Sequence, residues 1–355
     1  MATRKPSVRK TAAQPSDNPP PADATPPVGP VLVTGASGFL GLHLVGVLRD
    51  SGLDVRSLGR SHSDRLEAHG VDQRRGSVTN LDDCRAAVAG VSAIYHCAGH
   101  VSRDTKRSGE MYDVHVTGTR NMLRAAREAD VTRVLCVSTS GVNGVGKRED
   151  FSGREDSPVP WDIVRQWPYY ESKAWAEKEI ADAVAAGLPV KIARPTLLLG
   201  PGDYNGSSTG DVVKFLCGDV QAALPGGVSV VDVRDVAAFL PRLLERGEAG
   251  VGYMLTGANM ALRDFFFMLE QVSGVEAPKI SVPKKWLDVK AVKEVLKYTS
   301  GWKSMGGLEK QTFEMACHYW YVDSGRARRE LKWSPREIAV TLRDTVEDLR
   351  PGLPA

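Results

Sequence analysis

The sequence predicts an α/β protein with a Rossmann-type, doubly wound parallel sheet and a smaller C-terminal cap. Short apolar segments alternate with helical segments from residue 31 to about residue 195. Strands that alternate with helices at this spacing form a parallel sheet covered on both faces. A glycine-rich turn also follows the first apolar segment, and Pro195 interrupts the last one. These three observations define the fold class.

The first strand, from Val31 to Val33, runs into the turn TGASGFLG and then into an apolar helix. Gly35 can adopt the positive φ of a tight bend, Gly38 leaves room for a pyrophosphate, and Gly41 lets the helix lie close to the strand. Free amides and the helix dipole then face the phosphates. Because strand, turn and helix occur in this order, the segment predicts a dinucleotide site.

A second strand is predicted at 54–58, and Gly59 and Arg60 follow it. A carboxylate at this strand end typically binds the ribose diol of NAD, whereas a small residue followed by arginine suits the extra phosphate of NADP. The pair therefore favours NADP, with NAD as the alternative. An exposed loop arginine without a ligand is the non-functional interpretation of Arg60.

Two further strand ends carry small residues. A third strand is predicted to end around residues 76–78, and the segment 79–82, Thr79-Asn80-Leu81-Asp82, offers a capping-box start for a helix that ends near residue 89. The apolar segment 91–99 predicts a buried strand. Its end, Ala98-Gly99, would let the backbone approach a cofactor.

Hydroxyl groups follow the next strand. A helix is predicted through residues 118–123, and a strand at 133–140 ends in Ser138, Thr139 and Ser140. Ligands of doubly wound sheets collect at the carboxyl ends of the strands, so these side chains are well placed for chemistry. Hydroxyls at a strand end are also common turn formers.

A helix is predicted to begin at Pro168, since proline suits the first helical position. Tyr169 and Lys173 are four residues apart and would share one helix face. The ammonium would then lower the pKa of the phenol towards the range of a general acid. No other Tyr-x-x-x-Lys pair occurs in the sequence.

The later part of the chain is expected to build the cap. A strand at 228–233 and a helix at 235–246 are predicted to return to the nucleotide-binding lobe. The predicted domains are a disordered tail at 1–28, a dinucleotide-binding domain at 29–197 with 228–256 returning to it, and a substrate-binding cap at 198–227 and 257–355. Four tryptophans of the cap suit a small-molecule cleft or, more simply, a core: Trp286, Trp302, Trp320 and Trp333.

The composition is ordinary for a globular protein, with 355 residues, 42% of them hydrophobic, and a formal net charge of +3. No basic block with interleaved aromatics supports nucleic-acid binding. The five cysteines share no metal-like spacing and suit reduced, buried thiols, so no metal site is predicted: Cys84, Cys97, Cys136, Cys217 and Cys317. No apolar run is long enough to span a membrane and no secretory signal is evident. A cytoplasmic protein is therefore expected.

Taken together, the motifs TGASGFLG, YYESK and ARPTLLLGPGD and a strand-end serine resemble the extended short-chain dehydrogenase/reductase family, also described as the NAD-dependent epimerase/dehydratase family. The resemblance extends from about residue 31 to near the C-terminus. The segments VVDVRDVAAFLPRLLERG and HYWYVDSGRARRELKWSP are similar to the branch of dihydroflavonol-reductase-like enzymes and hopanoid-associated sugar epimerases.

The resemblance implies three catalytic residues. Tyr169 would be the acid/base, Lys173 would hold the nicotinamide ribose and tune the phenol, and Ser140 would hydrogen-bond the reacting oxygen, with Ser138 and Thr139 as alternatives. The expected cofactor-binding residues are Gly35, Ser37, Gly38, Phe39, Leu40, Gly41, Arg60, Ser77, Val78, Ala98, Gly99, Tyr169, Lys173 and Pro195.

Two residues depart from the family pattern. Ser77 stands where an aspartate usually lies near the adenine, and His115 stands where an asparagine commonly supports the active-site helix. The first departure puts the adenine contacts in doubt. The second exchanges one hydrogen-bonding side chain for another.

The leading hypothesis is an NAD(P)-dependent oxidoreductase that reduces a ketone or aldehyde of an apolar small molecule. The alternative is a nucleotide-sugar epimerase or dehydratase with tightly bound NAD, and the second alternative is a non-catalytic, dinucleotide-sensing scaffold. Expected partners are a carbonyl or sugar-nucleotide substrate, with a homodimer left open. An epimerase returns the hydride to its own substrate, whereas a reductase exchanges cofactor at every turnover, and the pair Gly59-Arg60 favours the reductase.

Overall fold

A computed structural model describes residues 29–102, 107–282 and 310–352. The strands are β1 (Val31–Thr34), β2 (Val55–Gly59), β3 (Asp72–Arg75), β4 (Ala93–His96), β5 (Val134–Val137), β6 (Val190–Pro195), β7 (Leu197–Leu199), β8 (Ala222–Ala223), β9 (Gly227–Asp232), β10 (Gly252–Leu255), β11 (Ala258–Ala261) and β12 (Ile280–Ser281).

The α-helices are α1 (Phe39–Asp50), α2 (Asp64–Ala68), α3 (Leu81–Val88), α4 (Ser108–Tyr112), α5 (Gly118–Glu128), α6 (Trp161–Val164), α7 (Pro168–Ala185), α8 (Gly210–Leu216), α9 (Val233–Arg246), α10 (Leu262–Ser273), α11 (Lys310–Ala316), α12 (Gly325–Leu331) and α13 (Ile338–Leu349). A π-helical turn (Asp113–Thr117) joins α4 to α5, and 3-10 turns cover Ser140–Val142 and Arg350–Gly352.

Seven strands form one parallel sheet in the order β10-β6-β5-β4-β1-β2-β3. Strand β1 lies between β2 and β4, with Val31 paired to Val55 on one side and to Ala93 on the other. The order of the strands along the sheet therefore reverses beside β1, which opens a crevice at the carboxyl ends of β1 and β4. The predicted Rossmann-type fold class is confirmed.

Helices cover both faces of this sheet, and all four residues of β1 are buried as a result. Val31 and Val33 face a core that contains α1 and α9, whereas Leu32 faces a second core that contains α3 and α5. Several predicted boundaries are also observed. Helix α3 begins within the predicted segment 79–82, with Asn80 as its cap accepting hydrogen bonds from the amides of Asp82 and Asp83, and α7 begins at Pro168 as predicted.

The predicted return of residues 228–256 to the large sheet is only partly right. Helix α9 packs on α1 and β10 pairs with β6, but β9 belongs to a separate three-stranded sheet with β7 and β11. The edge of β6 that β9 could have joined is occupied by β10, where Ile192 pairs with Gly252. Strand β9 therefore pairs within the cap sheet and lies between the two lobes: Val230 belongs to the cap core around β7, α8, α10 and α13, whereas Val231 belongs to the core around α1 and α9.

The assignment of all of 257–355 to the cap is also wrong in one segment. Helix α12 packs against β10, and Trp333 is buried against Phe239 of α9 with ring centroids 4.9 Å apart. The Trp333 indole N–H donates to the carbonyl oxygen of Thr256 at 2.9 Å. Burying these apolar side chains over α9 draws the segment into the nucleotide-binding lobe. Trp286, Trp302 and the predicted tail at 1–28 lie outside the described residues.

None of the five cysteines, all of which lie within the described residues, forms a disulfide. Cys84 and Cys136 are buried, but Cys217 is exposed, which differs from the expectation of uniformly buried thiols. Among the residues that the structure describes, no helix combines the length and the apolarity needed to cross a membrane.

Candidate active site

The glycine turn after β1 forms a closely packed cradle. Gly35 has φ of +67°, and a Cβ atom there would lie 2.7 Å from the carbonyl oxygen of Cys97. A Cβ atom on Gly41 would lie 2.1 Å from the carbonyl oxygen of Gly35. Gly38 precedes α1, and no side chain caps the amides of the first helical turn, which also lacks acidic residues. The turn therefore fits the phosphates of a dinucleotide, which would accept from these amides.

The other predicted cofactor residues lie at the same edge of the sheet. Arg60 is exposed directly after β2, Ala98 and Gly99 follow β4, and Pro195 is the last residue of β6. Within the turn, Ser37 is exposed whereas Phe39 and Leu40 are buried. The side chains of Phe39 and Leu40 therefore belong to the core, and only their backbone amides can serve a ligand.

Ser77 and Val78 follow β3, which ends at Arg75, slightly earlier than predicted. The Ser77 hydroxyl lies 2.8 Å from that of Thr79, and the Ser77 amide donates to Asp83 at 2.8 Å. Val78 is buried against Gly118. At this position the chain therefore offers a hydroxyl that already has a partner, where the family usually has a carboxylate.

The phenol of Tyr169 hydrogen-bonds to the hydroxyl of Thr139, which joins α7 to the segment after β5. Burial raises the pKa of Tyr169 to about 12, and the Thr139 hydrogen bond only partly offsets this. The expectation that the Lys173 ammonium lowers the pKa of the phenol towards the neutral range is therefore not met in this structure. The phenol is protonated at neutral pH.

Lys173 does lie on the inner face of α7, but its ammonium donates to the carbonyl oxygen of Val137 at 3.0 Å. Burial lowers the pKa of Lys173 to about 8. A Cβ atom on Gly99 would lie 3.6 Å from the Lys173 ammonium. The lysine therefore faces the end of β4, beside the predicted cofactor loop.

Of the three strand-end hydroxyls, Thr139 rather than Ser140 contacts Tyr169. Ser138 and Ser140 are both buried, whereas Thr139 is partly exposed. The Ser138 hydroxyl donates to Glu177 on α7, and Ser140 begins the 3-10 turn, where its carbonyl oxygen accepts from the Gly144 amide at 2.7 Å. Thr139 is extended, so the alternation of side chains explains why Ser138 points away from the side that Thr139 faces.

Sequence reasoning missed a buried ion pair beneath the site. Arg194 of β6 donates to both carboxylate oxygens of Glu177, and their side chains are 11% and 12% exposed. Glu177 also accepts from Ser138. Two signals were available: Glu177 lies four residues after Lys173, on the same helix face, and Arg194 interrupts an apolar strand.

A buried histidine next to the glycine turn was also missed. The Thr34 hydroxyl accepts from the Ala98 amide at 3.2 Å and lies 2.8 Å from Nδ1 of His96. Nε2 of His96 lies 3.2 Å from the Thr119 hydroxyl. Burial lowers the pKa of His96 to about 3, so the ring is neutral at neutral pH.

We expect His96 to make the folded state sensitive to acid. In the unfolded chain His96 takes up a proton near pH 6.5, whereas in the folded protein it does so only near pH 3. The contribution of the neutral ring to stability is therefore complete above pH 6.5 and is lost as the pH falls towards 3. Between pH 6.5 and about 4.5 the free energy of unfolding should fall by about 2 kcal/mol more in the wild type than in His96→Asn. Urea unfolding at each pH measures this. His62→Asn, which changes an exposed histidine, should keep the wild-type slope; equal slopes in all three proteins would refute the assignment.

Aromatic rings form a wall beside Tyr169. Tyr170 and Trp320 lie with centroids 4.6 Å apart, and the Trp320 indole N–H donates to the carbonyl oxygen of Met315 at 3.0 Å. A Cβ atom on Gly141 would lie 2.2 Å from the Tyr170 ring. The fit of Gly141 against the ring fixes Tyr170 between the 3-10 turn and the C-terminal segment.

Comparison with known proteins agrees with this geometry. The model of the NAD dependent epimerase/dehydratase family matches residues 31–255. A Synechocystis sp. protein provisionally named dihydroflavonol 4-reductase is 32% identical over 331 residues, which cover 89% of this chain and 93% of that protein. Sterol demethylase protein B of Methylococcus capsulatus is 31% identical over 320 residues, which cover 89% and 96%. The crystal structure of gox2253 matches with a TM-score of 0.79 and 29% identity, covering 91% of this chain and 98% of that one.

Proposed function

The chain belongs to the NAD-dependent epimerase/dehydratase family of extended short-chain dehydrogenases/reductases and is an enzyme of the NAD(P)-dependent oxidoreductase type; from this premise we propose that it reduces a ketone or aldehyde, with Tyr169 as the acid. The observation that carries the proposal is the protonated Tyr169 phenol, hydrogen-bonded to Thr139 at the edge where the cofactor cradle opens.

In this proposal the glycine turn and the first amides of α1 hold the phosphates, and Lys173 holds the nicotinamide ribose. When bound, the cofactor supplies the hydride that adds to the carbonyl carbon. Tyr169 gives its proton to the carbonyl oxygen, and the Thr139 hydroxyl, hydrogen-bonded to that phenol, orients the same oxygen. The Lys173 cation stabilises the phenolate that remains.

Burial raises the pKa of Tyr169 to about 12, so the phenol keeps its proton at neutral pH and can act as the acid of a reduction. Reduction turns the carbonyl oxygen into a developing alkoxide, which is more basic than a phenolate, so proton transfer from Tyr169 is favourable. The preference for a reductase over an epimerase rests on Gly59 and Arg60, since a reductase exchanges cofactor at every turnover and this pair suits NADP. A buried phenol that is almost fully protonated at neutral pH is suited to act as the acid.

The aromatic wall supports an apolar substrate. Tyr170 adjoins Tyr169 in sequence, with ring centroids 5.0 Å apart, and Trp320 covers Tyr170 from the C-terminal segment. Aromatic side chains with a few convergent polar groups are typical of small-molecule pockets. Beside this aromatic wall the polar groups are those of Tyr169 and Thr139, which in this proposal face the carbonyl oxygen.

The cofactor in this proposal is NADPH, and Arg60 is its 2′-phosphate partner. NADPH should bind more tightly than NADH, and Arg60→Ala should remove roughly tenfold or more of that preference, because a charge-assisted hydrogen bond to phosphate is lost. Fluorescence titration of both cofactors measures the ratio. Arg343→Ala, which changes an exposed arginine on α13, is the matched control and should keep the wild-type ratio. Equal affinities in the wild type would make Arg60 an ordinary surface residue.

The reaction class is tested with the purified protein. Bound dinucleotide is first released and identified, and apolar ketones, aldehydes and nucleotide sugars are then offered with and without NADPH. We expect NADPH consumption that depends on a carbonyl substrate. Retained NAD⁺ with epimerisation of a nucleotide sugar and no net NADPH consumption would establish the alternative function instead.

A further inference from the structure

His115 connects two parts of the site that are distant in sequence. It lies in the π-helical turn between α4 and α5 and is 1% exposed. Its Nε2 atom accepts from the backbone amide of His100 at 3.0 Å, and its Nδ1 atom lies 2.8 Å from the Ser172 hydroxyl on α7. The ring therefore bridges the loop after β4 and the helix that carries Tyr169.

The hydrogen bonds dictate one form of the ring. A backbone amide can only donate, so Nε2 of His115 carries the lone pair and Nδ1 carries the proton. Nδ1 must then donate to Ser172, and the Ser172 hydroxyl donates to the carbonyl oxygen of Tyr169 at 3.0 Å. Burial, together with the Lys173 ammonium, holds the pKa of His115 well below its usual range, in agreement with a neutral ring.

The hydrogen bonds from Nε2 and from Nδ1 of His115 form two arms that end at different functional groups. One arm holds the backbone beside Gly99, where an added Cβ atom would lie 3.5 Å from Nε2 of His115 and 3.6 Å from the Lys173 ammonium. The other arm fixes the backbone of Tyr169, whose ring also packs edge-on against His115 at 5.6 Å between centroids. The first arm serves the predicted cofactor loop and the second serves the proton donor.

We propose that His115 is a positioning residue that ties the cofactor loop after β4 to the backbone of Tyr169 through two separable hydrogen-bonding arms. The inference rests on the proposed function, since it assigns Gly99 and His100 to the cofactor side and Tyr169 to proton transfer. It goes further by predicting that cofactor affinity and turnover can be changed independently at one residue.

Two conservative variants separate the arms. The amide of asparagine can replace Nδ1 but falls short of Nε2, so His115→Asn should keep kcat within about threefold while weakening NADPH binding roughly fivefold to tenfold. The amide of glutamine reaches the Nε2 position, so His115→Gln should keep the Kd for NADPH and lower kcat by roughly tenfold. Ser172→Ala breaks only the second arm and should resemble His115→Gln.

The measurements are the Kd for NADPH by titration, kcat and KM for the reduced carbonyl, and the melting temperature of each variant. A purely structural role would change stability and lower both quantities together, so parallel losses in His115→Asn and His115→Gln would overturn the proposal. If His115 variants do not fold, unchanged kcat in Ser172→Ala overturns it. Absence of carbonyl reduction in the wild type would refute the proposed function alone, and the NADPH affinities of the two His115 variants would still decide this inference.

Discussion

Replacing Tyr169 by phenylalanine should lower kcat by about a hundredfold or more, while the melting temperature and the Kd for NADPH stay close to the wild-type values. The substitution removes the phenolic hydroxyl, which donates the proton and contacts Thr139, and keeps the ring. The ring contacts with His115 and Tyr170, at 5.6 Å and 5.0 Å between centroids, are therefore retained. Steady-state kinetics with a saturating carbonyl substrate measure the effect, and near wild-type turnover would remove Tyr169 from the mechanism.

The flanking hydroxyls provide a matched comparison for this experiment. Thr139→Val removes the hydroxyl that contacts Tyr169 and preserves the shape of the side chain, so it should also lower kcat strongly. Ser140→Ala removes a buried hydroxyl outside that contact and should leave kcat within a few fold of the wild type. The opposite order would return the role to Ser140, the residue that the family resemblance favoured.

The largest effect on stability is expected from Glu177→Gln. The substitution preserves the shape of the side chain but leaves the guanidinium of Arg194 buried without its counter-ion. Removing one partner of a buried ion pair typically costs about 3–5 kcal/mol, so the free energy of unfolding should fall by that order. Urea unfolding at neutral pH measures the loss.

Glu179→Gln on the same helix is the control for that loss. Glu179, which is 20% exposed, pairs with Arg120, which is 56% exposed, and exposed pairs contribute about 0–1 kcal/mol. The two variants make the same chemical change on opposite faces of one turn of α7, so their difference reports the greater burial of the Arg194–Glu177 pair. Equal losses would mean that Glu177 does not hold α7 against β5 and β6 in the way the hydrogen bonds indicate.

The parts of the fold predicted correctly from sequence are those with local causes. The glycines after β1, the helix start at 79–82 and Pro168 act on their own backbone or on that of the next residues, so their effects can be seen in a short window of sequence. Placing Arg60 after β2 also required only the order of strand and loop. Whether Arg60 binds a phosphate stays a prediction.

The rest depended on contacts between distant segments. Strand β9 pairs with β7 and β11, while the edge of β6 is occupied by β10, and neither pairing is visible in a short window of sequence. Trp333 lies in the nucleotide-binding lobe because it packs against Phe239 of α9. The sequence around Trp333 carries no pattern that predicts this contact. Likewise, three successive hydroxyls at a strand end do not reveal that Thr139 meets Tyr169. The neutral form of His115 follows from an amide fifteen residues away in the chain.

The packing of Trp333 against α9 has a consequence for how the chain folds as it is synthesised. One face of the nucleotide-binding lobe is completed by Ala327, Leu331 and Trp333, which leave the ribosome well after α9 and β10. Until then the apolar surface of α9 and β10 that these three residues cover is exposed. Long-range contacts of this kind slow folding and prolong exposure to aggregation. Nascent chains arrested before residue 325 should therefore bind holdase chaperones, and release should coincide with the emergence of Trp333.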